Sequence, residues 1–511
     1  MRITIFLLLA SCCAQADTAL TIVLTLREAV QRAIANNPEV VAERATFQAA
    51  QPALTAAKGA FDTVFGLNGG WRQAVTPATS ILQGVNGRLD ERVWTQGLTT
   101  RQRLPWRGIQ IDSALENQRI ATSNPFTSLN PYYQLSQRTT LTIPMWRNSK
   151  TDESRTELKI RRKETKTLRF DFESRLLDLI YRVEAAYWNL AAATAAHQAA
   201  KEVERYAGDS LASTERQVKE GEMASADLAG ARGQLNRASE NLANAYGTML
   251  EAQAQLKALL ASNATDPLWK NAISLAESRS TLNNTSPTEL TQQALAVSPD
   301  LQALALRLEA QRDLTTLASE AAKPQVDLQL SHSRLGLAGT AVPQEGLFPG
   351  FDLNAPPQLI GGFGRAATQV LRNRFSTYQA TLSIELPLRN RTAEGRLAQQ
   401  RLLETRIAAQ RKQAEIQLVS GIEQSWARIE AARLRVSSAQ AALDSSDERL
   451  QSEFRLFREG QSNNLSLNTR QNELAESRNL LVNAWRTFNL AAADLRRISA
   501  SSLTTFEITV E

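Results

Sequence analysis

Cysteine is almost absent: Cys12 and Cys13 are the only two in 511 residues. Beyond them the chain has no thiol nucleophile, no disulfide staple and no thiolate ligand for a metal. Histidine is equally scarce, with two residues, which leaves little for imidazole catalysis or metal binding. No phosphate-cradling glycine loop and no nucleophile elbow occurs. The run Gly361-Gly362-Phe363-Gly364-Arg365 does not lead from a strand into a capped helix and reads as loop. Neither an enzyme nor a cofactor or metal site is expected. There is no dense Lys/Arg block interleaved with aromatics, and the charge of +6 is a small excess of 58 bases over 52 acids, so nucleic acid is not an expected partner. Aromatics are 6% against 43% hydrophobic residues. The apolar content is thus mostly Ala and Leu, which favours long helices over an aromatic-rich core.

One further absence matters. After the N-terminus no stretch approaches the roughly 20 apolar residues of a membrane-spanning helix, so any membrane crossing has to be made by strands. The N-terminus itself, Arg2 followed by the apolar run Ile3 to Ala10, has the length of a signal-peptide core. Two processing readings fit it. Ala14-Gln15-Ala16 suits ordinary signal peptidase and gives a signal peptide 1–16. Leu9-Ala10-Ser11-Cys12 resembles a lipobox, which gives a signal 1–11 and lipidation of Cys12. Both readings export the chain.

The chain contains itself twice. Leu26-Arg27-Glu28-Ala29-Val30 leads to Asn37-Pro38-Glu39, and Thr288-Glu289-Leu290-Thr291 leads to Ser298-Pro299-Asp300. Val218-Lys219-Glu220-Gly221 is echoed by Phe457-Arg458-Glu459-Gly460. After each glycine, apolar residues recur at sevens: Leu228, Leu235, Leu242, Met249 and Leu256, then Leu467, Leu474, Leu481, Phe488 and Leu495. A row of Ala231, Ala238, Ala245, Ala252 and Leu259 runs beside the first. Such a seam with small d residues predicts closely packed coiled-coil helices. The same step runs back from Phe457 through Leu450, Leu443, Val436 and Ile429 to Ile422. In the other copy it runs from Val218 through Leu211, Glu204, His197, Leu190 and Val183 to Leu176. Each copy therefore predicts a helical hairpin, 152–260 and 391–498, turning at a glycine that can take the left-handed conformation. His197 is expected in the seam. At 1.5 Å per residue the long helices are about 100 Å and the shorter ones about 50 Å, so two short helices end to end match one long one.

Between the helices the period changes to two. Leu141, Ile143 and Met145 alternate with Thr or Pro, as do Tyr378 to Leu388 and Val326, Leu328 and Leu330 with their polar neighbours. Phe61, Phe65, Leu67 and Trp71 line one face of another candidate. Two-faced strands of about ten residues are what a transmembrane barrel needs. Trp71, Trp94, Trp106, Tyr132, Tyr133 and Trp146 suit an interfacial aromatic girdle. Loops at Thr76–Glu91, Ser123–Pro131 and Gly336–Gly364 are expected to be extracellular. Four to six strands are too few to close even the smallest barrel of about eight, so closure has to come from association.

This order of parts resembles the TolC family of outer-membrane efflux proteins. The likeness also rests on the Leu-Thr-Leu-Arg-Glu-Ala-Val opening and on the strand endings Leu141-Thr142-Ile143-Pro144-Met145-Trp146-Arg147 and Ile384-Glu385-Leu386-Pro387-Leu388-Arg389-Asn390. It implies an α+β membrane protein: a homotrimer in outer-membrane lipid, with a shared transmembrane β-barrel above a coiled-coil periplasmic α-barrel. The trimer serves as the exit duct of a tripartite efflux pump or type I secretion system. The implied partners are a periplasmic adaptor and an inner-membrane transporter of RND, MFS or ABC type.

The resemblance also implies that the hairpin tips meet the adaptor and form the pore entrance. They comprise Lys219, Glu220, Gly221 and Asp227 in the first copy, and Arg458, Glu459, Gly460, Asn463, Asn464 and Ser466 in the second. Two departures stand out. The family follows each tip glycine, six residues on, with an aspartate; Asp227 matches but Ser466 does not, so no acidic ring is expected from the second copy. The family default is four strands per subunit, whereas Gly97–Leu104 and Ile109–Gln118 around Pro105-Trp106-Arg107-Gly108 form an additional hairpin. It either widens the shared barrel to six strands per subunit or folds as a loop. The expected division is a first repeat 17–262 (strands about 61–146), a linker 263–285, a second repeat 286–500 (strands about 325–388) and a tail 501–511. The competing reading is an exported periplasmic coiled-coil scaffold or adaptor without a pore.

Overall fold

The computed structural model describes residues 21–80, 82–221, 223–276, 286–343, 354–459 and 461–508. The N-terminal segment with Cys12 lies outside them, as does Gly460. Two compact units are present, one of residues 1–48, 168–304 and 410–511 and one of 49–167 and 305–409. They do not follow the repeat: each takes residues from both copies.

Each copy opens in the same way. Strand β1 (Thr21–Leu24) leads into α1 (Leu26–Asn36) and α2 (Pro38–Lys58); the second copy starts with α5 (Pro287–Val297) and α6 (Pro299–Ala321). Both openings are capping boxes. The Thr25 hydroxyl accepts from the Glu28 N–H at 3.2 Å, and the Glu28 carboxylate accepts from the Thr25 N–H at 2.9 Å. Ser286 and Glu289 do the same at 3.3 and 3.4 Å. Both helices break one residue before a proline, at Asn37 and Ser298, whose ψ angles of 124° and 119° are not helical. Proline crowds the residue before it out of the helical region.

The hairpins are α3 (Glu153–Lys219) with α4 (Ser225–Leu260), and α8 (Arg391–Arg458) with α9 (Asn464–Ile498). In the helical unit the heptad rows face inward. Ala231, Ala238, Ala252 and Leu256 are buried in the first hairpin; Leu467, Leu474, Phe488 and Leu495 are buried in the second against Ile422, Ile429 and Leu450. Each buried leucine stabilises by about 2 kcal/mol. The two polar members of the first row have partners across the seam: Glu204 accepts from the Ser239 hydroxyl at 2.9 Å, and His197 lies against the Tyr246 ring at 5.5 Å. The largest core gathers Leu176, Ile180, Val183 and Tyr187 of α3 around Val30, Leu256, Leu260 and Phe506. There the Tyr187 hydroxyl donates to the carbonyls of Ala276 and Leu24 at 2.7 and 3.3 Å, and burial pushes it up to about 12. It clasps β1 and its parallel partner β6 (Ala272–Leu275), a strand inside the segment expected to link the copies.

The other unit holds one all-antiparallel sheet. Its strands are β2 (Val64–Pro77), β3 (Arg88–Arg103), β4 (Gln110–Thr122), β5 (Leu129–Pro144), β7 (Gln325–Ala341) and β8 (Ser376–Glu385), hydrogen-bonded in that order. The additional hairpin is therefore β3–β4 and lies within the sheet, so the chain supplies six strands. Five expectations shift. Phe61 ends a 3-10 turn ahead of the strand, β3 and β5 start inside the first and second expected loops, β7 extends to Ala341 into the third, and β8 ends at Glu385, short of Leu388. A short helix, α7 (Phe363–Leu371), takes up part of the connection from β7 to β8.

Candidate functional site

The first tip closes on Gly221, which is exposed with φ +81° and open space around it. Only glycine takes that conformation without strain. Lys219 and Glu220 beside it are exposed. The cap position before α4 is Ala224, which has no polar side chain to cap the helix; instead the Asp227 carboxylate reaches back to the Ala224 N–H at 3.2 Å. At the second tip Arg458 and Glu459 are exposed, and the Gln461 N–H returns to the Leu456 carbonyl at 2.9 Å. Here Asn463 is the cap, its side chain accepting from the Ser466 N–H at 2.8 Å. Asn464 is the first residue of α9. The missing aspartate thus has a local explanation. The first copy caps from the third helical position backward and the second from the cap position forward, so Ser466 is free of that duty.

Polar contacts that heptad counting does not mark join the two hairpins. The Asn468 amide donates to the Ser210 hydroxyl at 2.8 Å, and Arg478 pairs with Glu202. Higher up, Arg496 pairs with Glu184, and Arg497 bridges Asp178 at 3.3 Å and Asp494 at 2.9 Å. Glu184 is fully buried, and its second oxygen, Oε1, has no hydrogen-bond partner. Burial raises its carboxyl above the usual range, and Arg496 only partly opposes this. For Arg497, burial pulls down while Asp494 and Asp178 pull up, and the carboxylates prevail.

The sheet has two unlike faces. Register places Phe65, Leu67 and Trp71 of β2 on the same face as Leu98 and Trp94 of β3 and Leu115 and Ile111 of β4. The same face continues through Leu141 and Ile143 of β5, Val326, Leu328 and Leu330 of β7 and Tyr378, Leu382 and Ile384 of β8. The opposite face carries Arg101, Asp112, Glu116, Arg138, Gln329, Ser331, Gln379 and Thr381. Trp71 and Trp94 neighbour each other midway along β2 and β3, with ring centroids 6.3 Å apart; Trp106, in the turn after β3, and Trp146, just past β5, are exposed at one end of the sheet. From Trp94 to the end of β3 is about 30 Å of strand at 3.4 Å per residue. For strands tilted by about 40° that spans the roughly 25 Å apolar band between the aromatic girdles of an outer-membrane barrel. His332 lies on the apolar face, stacked on Tyr378 at 4.5 Å.

The sequence matches the outer membrane efflux protein family over residues 109–262 and 290–501, one stretch in each copy. The chain belongs to that family. Solved structures with the same fold include the CmeC outer membrane channel of Campylobacter jejuni (14% identity, 95% of this chain and 90% of that one, TM-score 0.64). VceC of Vibrio cholerae aligns at 16% identity over 93% and 95% with a TM-score of 0.61. The MtrE outer membrane channel of Neisseria gonorrhoeae aligns at 15% over 93% and 88% with a TM-score of 0.61. No curated protein matches the chain in sequence.

As an outer membrane efflux protein the chain is a channel subunit and not an enzyme. It sits in the outer membrane, extends into the periplasm, and works as a trimer with adaptor and inner-membrane pump components. The pore-less scaffold drops out. In such a channel the face with Leu328 and Leu382 meets lipid, and the face with Asp112 and Arg138 lines the lumen. No helix among the described residues is long and apolar enough to cross a membrane.

Proposed function

We propose that the two hairpin tips form the periplasmic mouth of the channel and the surface on which the adaptor docks. The residues involved are Lys219, Glu220, Gly221 and Asp227, with Arg458, Glu459, Gly460, Asn463, Asn464 and Ser466. The inner-membrane partner is a transporter of RND, MFS or ABC type that hands its cargo to this duct. The observation carrying the reading is Gly221: an exposed, left-handed glycine with open space around it, flanked by a Lys-Glu pair that the second copy repeats as Arg458-Glu459. A residue without a side chain lets another protein's backbone approach closely, and the flanking charges orient it. Asp227 brings a carboxylate to this mouth where Ser466 brings none.

The test is Gly221→Trp and Gly460→Trp in cells that depend on the channel for resistance to an exported toxic compound. Each variant is expected to lose at least about ten-fold in resistance, about 1.4 kcal/mol of docking, while heat-resistant trimers form at normal yield. Normal resistance in both variants sinks the assignment.

A further inference from the structure

The hairpin β3–β4 is built as wall. Its two faces continue those of its neighbours: Trp94, Leu98, Ile111 and Leu115 on the lipid side, Arg101, Asp112 and Glu116 on the lumen side. It pairs along its length with β2 on one side and β5 on the other. On the lumen face Arg101 and Asp112 form an ion pair of 3.0 Å across it. Its turn is anchored where β5 passes into α3. Arg103 donates to the Ser154 hydroxyl at 2.6 Å, Leu104 N–H bonds the Ile109 carbonyl at 2.8 Å, and Ile109 is buried. Gly108, at φ +66°, sits so close that a Cβ there would lie 2.8 Å from the Asp152 carboxylate. A surface loop needs neither two-faced alternation nor such an anchor.

Among the described residues the sheet ends on two unpaired edges, β2 and β8. Both carry apolar residues on the same face, Phe65, Leu67 and Trp71 on one and Tyr378, Leu382 and Ile384 on the other. With an even number of strands per chain, β8 of one copy runs antiparallel to β2 of the next, so every junction around a ring is alike. An open edge of this kind is a template for another chain. Six strands cannot close alone.

We infer that three copies of this chain close a barrel of eighteen strands, with β3–β4 in the wall, in place of the twelve that four strands per subunit give. The inference rests on the trimeric channel reading and deepens it. Barrel diameter grows about linearly with strand number, so the outer mouth is about 1.5 times as wide and its cross-section about twice as large. The outer end of this duct then admits solutes that a twelve-strand barrel excludes.

The test uses disulfide pairing, because the chain has no cysteine after Cys13. Phe65→Cys with Thr100→Cys joins β2 to β3, and Ser113→Cys with Thr139→Cys joins β4 to β5; both are directly paired positions. Phe65→Cys with Thr139→Cys joins β2 to β5, which have two strands between them and so lie three strand spacings apart, about 14 Å, beyond the roughly 7 Å that a disulfide spans. In purified trimers that conduct ions, the first two pairs are expected to oxidise nearly fully and the third at least about ten-fold less. Efficient oxidation of the third pair in conducting trimers, with failure of the other two, puts the hairpin outside the wall and overturns the inference. Protein that neither trimerises nor conducts refutes the channel reading itself.

Discussion

The two copies begin with the same capping box, the same proline break and the same heptad hairpin, yet they diverge between the helices. The first copy places four strands there; the second places two, and joins them through a connection carrying α7. Above the end of β8, that connection covers the edge of β7. The Gln369 side chain accepts from the Leu337 N–H at 2.9 Å, the Gly361 N–H bonds the Gly339 carbonyl at 2.9 Å, and Ala366 and Val370 bury Leu135 and Ala338. One copy satisfies its strand edges with more strand, the other with a helix. The helical scaffold is the shared part of the repeat, and the barrel wall is where the copies are free to differ. The family match begins at residue 109, the turn into β4, in the first copy and at residue 290, within α5, in the second.

The sharpest way to break this comparison is at the glycines that permit each solution. A Cβ on Gly336 would lie 2.1 Å from the Ala366 carbonyl oxygen, so Gly336→Val has to push α7 off the sheet. Gly97, in the added hairpin, meets only the flexible Asn68 side chain. Gly336→Val is expected to cost about 3 kcal/mol and Gly97→Ala less than about 1 kcal/mol, read as the temperature at which the heat-resistant trimer dissociates. Equal losses at the two sites would mean that α7 is not what covers the β7 edge.

The tips differ on a smaller scale. Asn463→Ala removes the side-chain cap of α9 and is expected to destabilise the second tip by about 1 kcal/mol. Asp227→Ala removes one backward bond at an exposed position and is expected to cost about half as much. Amide exchange at the two tips measures both. If Asp227→Ala proves the more damaging, the carboxylate has a role beyond capping.

The smallest effect separates two glutamates at matching places of the copies. Glu184 is buried against Arg496, whereas Glu423 is exposed on the chain. Burial raises the Glu184 carboxyl, so the folded state holds that proton more tightly than the unfolded chain does. Its contribution favours the fold at low pH and is lost as pH rises from the ordinary carboxylate range through the raised value. Relative to Glu184→Gln, the unmodified protein is therefore expected to lose thermal stability over that window and then level off. A slope of the opposite sign at Glu184 would mean that Arg496 outweighs burial.

The helical half was legible because its code is local. A seven-residue step, a capping box and an X-Pro break report backbone conformation within a turn or two of themselves, so α1 to α4 and their echoes were readable with their ends. The strands were readable where alternation was clean, as at Leu141 to Met145 and Tyr378 to Ile384. The face of His332 was not, because a polar residue on the lipid-facing parity contradicts the pattern until the Tyr378 ring beside it is seen.

By itself the sequence determined the repeat, the four hairpin helices and the glycine turn at Gly221. These follow from period, composition and backbone sterics, which act between near neighbours. Only the tertiary structure decided that β3 and β4 join the sheet, that α7 caps the edge of β7, and that Asn463 replaces the work of an aspartate at the second tip. It alone also paired Glu184 with Arg496, 312 residues apart in the chain. Each of these depends on which backbone groups and charges are left without a partner once the local elements have formed, and distant parts of the chain supply those partners.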